Sequence, residues 1–302
     1  MKAQLLQLQN QFNKLNERAR DNFNSTLWLA PSFLGVALFY MVPMVVVVYY
    51  SMLNNPIDRQ FVFFDNFIEL FDNAAFRLAA FNTFTFSIVA VPLSLILSLL
   101  LALLLEAKIP LKSRFRTFFL SPMMVPVASV VLIWQVLFHH DGAMNEVMLF
   151  LGFDKVNWMY SEYNQLVVIL LFLWKTLGYN MILFMASLSN VPVTLLEVAD
   201  VDGAGAFFKF FSVKLRFLSP TILFVTILSL ISSFKVFREI YLLTGDYPYE
   251  GLYMLQHFMN NIFRTLDYQR LAAAAVIMAV AMILIIAALF IIEDRFGKDV
   301  EG

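Results

Sequence analysis

Long apolar runs separated by polar, charged segments organise this chain. Six of them predict helices at about residues 27–50, 83–105, 118–138, 166–188, 218–234 and 271–292. Each is close to the roughly 20 residues that a helix needs to cross about 30 Å of hydrocarbon. None alternates over about 10 residues as a barrel strand would. The pattern predicts an all-α integral membrane protein with six transmembrane helices. Pro43, Pro92 and Pro126 fall inside these runs, where neighbouring helices or water can satisfy the carbonyls they free. Kinked packing is the plain reading of these prolines, and a gating role is the sharper one.

Composition agrees with the pattern. Hydrophobic residues make up 61% of the chain and charged residues 14%, against roughly 25% charged in an ordinary soluble domain. Mean hydropathy is +0.75. The absence of cysteine removes disulfides and thiolate metal sites.

The near-neutral net charge of -1 hides an asymmetry. Thirteen Lys and Arg residues precede the first run, follow the second, separate the fourth from the fifth and follow the sixth. The intervening loops hold Arg59, Arg77, Lys155, Arg264 and Arg270, with Lys235 and Arg238 near the fifth run's far end. Short loops rich in Lys and Arg stay inside, so both termini are expected to be cytoplasmic. Residues 1–26 are expected to form a cytoplasmic amphipathic segment with Leu5, Leu8, Phe12 and Leu15 near one face. Residues 296–302 would be a cytoplasmic tail, and residues 1–26, which lack a secretory apolar core and small-residue cleavage site, are not expected to act as a secretory signal.

That orientation places an acidic break, residues 190–217, in the cytoplasm. It contains Glu197, Asp200 and Asp202, then Gly203, Ala204 and Gly205. Thr194 stands three residues before Glu197, the spacing of a capping box. Asp202-Gly203 predicts a turn or helix end. Phe207, Phe208, Phe210 and Phe211 with Lys209 and Lys214 then begin a second amphipathic stretch. Two short helices joined by a glycine turn would lie across the membrane surface. They would either present a knob to a soluble partner or rest on lipid headgroups as an ordinary connector.

Glu197, Ala199, Asp202, Gly203, Ala204, Phe210, Leu218 and Pro220 together resemble the coupling-helix signature of the membrane subunits of ATP-binding-cassette (ABC) importers. Val198 and Arg216 depart from it, standing where that family has Ala and Pro. Trp28-Leu29-Ala30-Pro31, Asp65-Asn66, Asn82-Thr83, the segment 174–178 and the segment 188–192 resemble the carbohydrate-importer permeases. So does Thr244-Gly245-Asp246-Tyr247-Pro248, with Asp246 at a usual Gly. The resemblance spans about residues 27–295 and is closest to the first permease of a heterodimeric pair, of the maltose and glycerol-phosphate importer type.

The resemblance implies a type I ABC importer permease fold with a cytoplasmic coupling helix, in a bacterial or archaeal plasma membrane. It implies as partners a second permease, two cytoplasmic ATP-binding subunits, an extracytoplasmic solute-binding protein and a carbohydrate. That solute is expected to be an oligosaccharide or modified sugar, an acidic one included. Glu197, Ala199, Asp202, Gly203 and Ala204 would dock into the ATPase, where a glycine allows close approach and an unusual turn. No nucleic acid is implicated.

The chain has no phosphate-binding glycine loop ending in Lys and is not expected to bind ATP itself; the resemblance implies that ATP and Mg²⁺ are bound by the partner ATPases. No partnered nucleophile is present, and the chain is expected to be a non-catalytic subunit. His139, His140 and His257 fall in predicted outer loops, with solvation favoured over metal binding. Trp174, Lys175, Tyr179 and Asn180 are candidates for the solute path. Lys175 is the single formal charge well inside a predicted run, and an intramembrane charge faces protein or water. It would contact solute, pair with a carboxylate of the partner permease, or snorkel. For the other three, helix packing and interfacial anchoring compete with path lining. Lys235 and Arg238 would attract an anionic sugar, or bind the delivery protein or lipid headgroups. Importers of glycerol phosphate or another polar solute, and an ion-gradient-driven secondary transporter, are the rivals. The latter would show repeats or a buried midplane carboxylate, and none of the six predicted cores carries one.

Overall fold

In the computed structural model residues 26, 28–55, 57–106 and 110–297 are described. All but the last residue of the expected amphipathic segment 1–26, and most of the tail 296–302, lie outside that set. The fold is an all-α multi-pass membrane permease fold. Among the described residues five helices are long and apolar enough to cross a membrane, and six spans result if one bent pair is counted as a single span. The helices are α1 (Trp28–Ser51), α2 (Asp65–Asp72), α3 (Ala74–Glu106), α4 (Lys112–Met124), α5 (Val127–Leu137), α6 (Ala143–Phe150), α7 (Asn164–Leu188), α8 (Val193–Val201), α9 (Leu215–Phe234), α10 (Phe237–Thr244), α11 (Leu255–Arg264) and α12 (Tyr268–Gly297).

The proline at position 126 does more than kink a helix. The run 118–138, expected as one kinked helix, is two helices, α4 and α5, meeting at 101°. Val125 is extended, with φ -82° and ψ 129°, because a residue before proline is pushed out of the helical region. Pro126 then serves as the N-cap of α5. Pro92, by contrast, sits within the continuous α3. In α1 a wider π-type stretch, Ala37–Met41, lies just before Pro43. Pro43 has no N–H to return to Phe39, which frees that turn to widen.

The chain divides into two compact units, Met1–Phe67 with Tyr268–Val276, and Ile68–Asp267 with Ile277–Gly302. In the first, the buried Asn66 donates to the carbonyls of Ser51 (2.9 Å) and Leu53 (2.8 Å), closing the turn after α1. The most apolar stretch of α1 has no buried residue. An apolar helix of this kind needs lipid or another subunit around it.

In the second unit α3 and α7 form the centre, with α9 against both. Thr83, Ser87, Ala90, Ser94, Ser98 and Ala102 are all buried. Their three- and four-residue spacing keeps them on one face of α3, and small residues let helix backbones approach closely in a membrane. Hydroxyls join the helices at that face: Ser87 bonds Ser233 (2.9 Å) and Ser94 bonds Thr176 (3.0 Å). Asn82 donates to the carbonyls of Glu250 (2.6 Å) and Tyr253 (3.1 Å), and Thr83 accepts from the Leu255 N–H (2.8 Å). Those two residues therefore anchor the segment leading into α11.

His257 corrects an expectation. It lies in α11, fully buried, rather than in a solvated loop. Its ring meets Phe237 edge-on at 4.6 Å. Burial pushes its pKa down to about 4 against the opposing pull of Asp246, so it is neutral near pH 7. His139 and His140 are exposed as expected.

Candidate functional site

Two places gather the residues with functional potential. The first is the segment after α7. Helix α8 starts at Val193 with Pro192 as N-cap and no side-chain cap. Thr194 therefore lies inside the first turn, and the capping box expected between Thr194 and Glu197 does not form. The fixed φ of Pro192, at -61°, begins the helix before Thr194 can cap it.

The C-terminal end of α8 follows the expected turn closely. Asp202 is the C-cap and Gly203 follows with φ +76°. The Ala204 N–H donates to the Ala199 carbonyl at 2.8 Å, and the Gly203 N–H to that of Asp200 at 3.1 Å. Those two bonds are a Schellman motif, which satisfies the last helical carbonyls through a left-handed residue. Ala199 faces inward, nearly buried, whereas Glu197, Asp202 and Gly203 face outward. Ala204 is half-buried.

Beyond Gly205 no separate surface helix forms. Ala206–Phe208 and a π-type stretch, Lys209–Lys214, run on into α9. The expected second short helix is thus the lead-in to the fifth span, since nothing in 206–217 breaks the helix. Two ion pairs brace the segment: Lys209 with Asp200, and Lys214 with both carboxylate oxygens of Glu106 (2.8 and 2.7 Å) at the end of α3. The outward surface is apolar, with Val201 89% exposed and Val193, Val198, Phe207 and Phe208 also exposed.

The second place is a cavity of about 330 Å³ lined by α7, α9 and the chain around α10. Lys175, Tyr179 and Asn180 all line it. Trp174 does not. Its ring packs on Trp134 at 5.4 Å, in a cluster with Phe138 and Val167. Asn180 is 2% exposed and donates to Ser94 (3.0 Å) and Ser229 (2.9 Å), tying α3, α7 and α9 together. Lys175 forms an ion pair with Glu239 of this same chain. Glu239, on α10, is only 5% exposed.

Glu239 was missed in the sequence because the apolar run ends at Phe234 and the next charges read as loop. A signal does exist. Val236, Glu239, Ile240 and Leu243 fall at helical spacing, and the first three are buried. Thr176, Ser229 and Ser232, also in the lining, give no distinctive sequence signal among many span hydroxyls. Among the described residues no group of three or more His, Asp or Glu side chains is placed to hold a metal.

A multi-helix membrane bundle with a cavity that holds charged and hydroxyl side chains among apolar ones, and an exposed, braced helix–turn knob, has the form of a transport permease. The chain belongs to the family described as the binding-protein-dependent transport system inner membrane component, whose model matches residues 94–302. Such chains are non-catalytic permease subunits of ABC transporters. The chain is 30% identical to the sulfoquinovosyl glycerol transport system permease protein SmoG of Agrobacterium fabrum, over 85% of this chain and 86% of that one. It is 31% identical to the arabinooligosaccharides transport system permease protein AraP of Bacillus subtilis, over 72% and 71%. Its fold matches, with a TM-score of 0.79 at 22% identity, a solved bacterial alginate ABC transporter in complex with its alginate pentasaccharide-bound periplasmic protein, covering 93% of this chain and 98% of that one.

Proposed function

We propose that this chain is the first permease of a heterodimeric carbohydrate importer of the maltose and glycerol-phosphate importer type. Both relatives described above are permeases for sugar-containing solutes, which supports an oligosaccharide or modified sugar as cargo. Both termini and the segment 190–217 lie in the cytoplasm of a bacterial or archaeal cell, following the distribution of Lys and Arg. Two partner ATPases bind ATP and Mg²⁺, and an extracytoplasmic binding protein delivers the solute.

The observation that carries the coupling role is the Schellman turn at Gly203 beside an exposed apolar face. An acidic residue, Glu197, stands outward on the same helix. Apolar surface of this extent fits a docked partner, and the two ion pairs to Lys209 and Lys214 would let a push on α8 reach α3 and α9. Residues Glu197, Ala199, Asp202, Gly203 and Ala204 divide the labour: the exposed ones meet the ATPase, while Ala199 and the turn hold them in place.

ATP hydrolysis by the assembled complex, stimulated by sugar-loaded binding protein, tests this reading. Gly203→Asp places a side chain at the left-handed residue and in the docking face, and Glu197→Ala removes the outward charge. Stimulation is expected to drop at least about tenfold in Gly203→Asp and severalfold in Glu197→Ala, with the complex still intact by size-exclusion chromatography. Full stimulation in both variants would refute coupling through α8. The basic side chains at the cavity favour one second reading, import of glycerol phosphate.

A further inference from the structure

Four ionised side chains line the cavity: Lys175, Lys235, Arg238 and Glu239. Glu239 is consumed by Lys175, so that pair contributes no net charge. Lys235 and Arg238 are exposed, and neither is within ion-pair distance of a carboxylate among the described residues. The cavity therefore carries two cations with no counter-ion among the described residues. Like charges gathered at the mouth of a cleft raise the local concentration of an anion above that in bulk water.

The neutral lining narrows the chemistry further. The Tyr179 hydroxyl and the Ser232 hydroxyl make no hydrogen bond within the described chain, although Asn180 and Thr176 are already engaged. Free hydroxyls beside two free cations suit a polyhydroxylated ligand that bears an acid. A volume of about 330 Å³ stands at the low end of small-ligand pockets, about 300–1,000 Å³. It fits one terminal ring better than a whole chain.

We propose that the cavity selects acidic sugars: Lys235 and Arg238 hold the carboxylate of a uronate ring, Tyr179 and Ser232 bond its hydroxyls, and Glu239 keeps Lys175 out of that role. The proposal rests on reading the cavity as part of the solute path. Glu239 is then a positioning residue and Lys235 and Arg238 are the specificity determinants. Neutral sugars gain nothing from the two cations, so the discrimination lies in the charge.

The test uses the permease–ATPase complex, without binding protein, in nanodiscs of phosphatidylcholine. Trigalacturonate and its methyl ester are titrated and binding is read by saturation-transfer NMR. The acid is expected to bind at least about tenfold tighter than the ester. Lys235→Gln/Arg238→Gln should bring the two within about twofold while leaving the ester unchanged. The charge-conserving Lys235→Arg/Arg238→Lys should keep the preference, which holds the test open should the neutral variant fold poorly. Equal binding of acid and ester by the wild type would overturn the proposal, as would a preference that survives both neutralisations. Nanodiscs containing phosphatidylglycerol separate solute from lipid: if that lipid abolishes the advantage of the acid, the cations serve headgroups and the proposal fails. Glycerol 3-phosphate displacing trigalacturonate at a tenth of its concentration would also overturn it. Binding-protein-stimulated ATPase in the same preparations distinguishes the two levels. Its absence with every sugar defeats the importer reading, whereas its presence without acid preference defeats this inference alone.

Discussion

Gly178→Ala is expected to cut the yield of assembled, folded complex by an order of magnitude, and Gly178→Leu to abolish it. A Cβ on this α7 residue would lie 1.8 Å from the Phe119 carbonyl oxygen and 2.5 Å from its carbon, both backbone atoms of α4. A side-chain neighbour could rotate away, but a helix backbone cannot without separating α4 from α7. Overpacking in a tight core costs about 1–3 kcal/mol and occasionally more; a backbone clash this close belongs at or above the top of that range. Gly35→Ala is the control, because a Cβ there meets nothing within 4 Å and alanine favours helix over glycine by about 1 kcal/mol. Fluorescence-detected size exclusion of the complex measures both. Wild-type yield from Gly178→Ala would show that α4 and α7 do not approach as described.

The second large effect concerns the buried pair. Lys175→Met leaves Glu239, 5% exposed, without its cation in an apolar surround. Removing one partner of a buried pair costs about 3–5 kcal/mol. Glu239→Gln should cost less, because the Lys175 side chain is 26% exposed and borders the cavity, where water or solute can reach it. The double variant Lys175→Met/Glu239→Gln should recover most of the loss, since replacing both charges removes the orphan rather than creating one. A coupling of about 2 kcal/mol is expected from the cycle of thermal unfolding curves. Additive single effects would mean that the two side chains do not depend on each other.

How much of this was legible in the sequence follows from the range of the forces involved. The spans were readable because burial in lipid acts on about 20 residues together, so a single Lys175 or Pro92 did not obscure them. The turn at Asp202-Gly203-Ala204 was readable because a left-handed helix end has a local chemical requirement. Pro126 announced a disturbance, but not that α4 and α5 would meet at 101°. That angle depends on what packs on either side, such as Gly178 against Phe119. His257 was read as a loop residue, and Glu239 was passed over, for the same reason. Their burial comes from partners on other helices, Lys175 of α7, 64 residues from Glu239, and Phe237 of α10 against His257, and helical spacing alone does not name such partners. Of the path candidates, Lys175, Tyr179 and Asn180 meet at one cavity, while Trp174 turns into an aromatic cluster.

The most direct measurement is uptake of a labelled oligosaccharide into proteoliposomes holding both permeases and the ATPases, with binding protein outside. ATP is enclosed in one set, and a proton or sodium gradient without ATP is imposed on another. Sugar accumulation that requires enclosed ATP and binding protein, and is lost in Gly203→Asp, is the predicted result. Accumulation driven by the ion gradient alone would contradict the account.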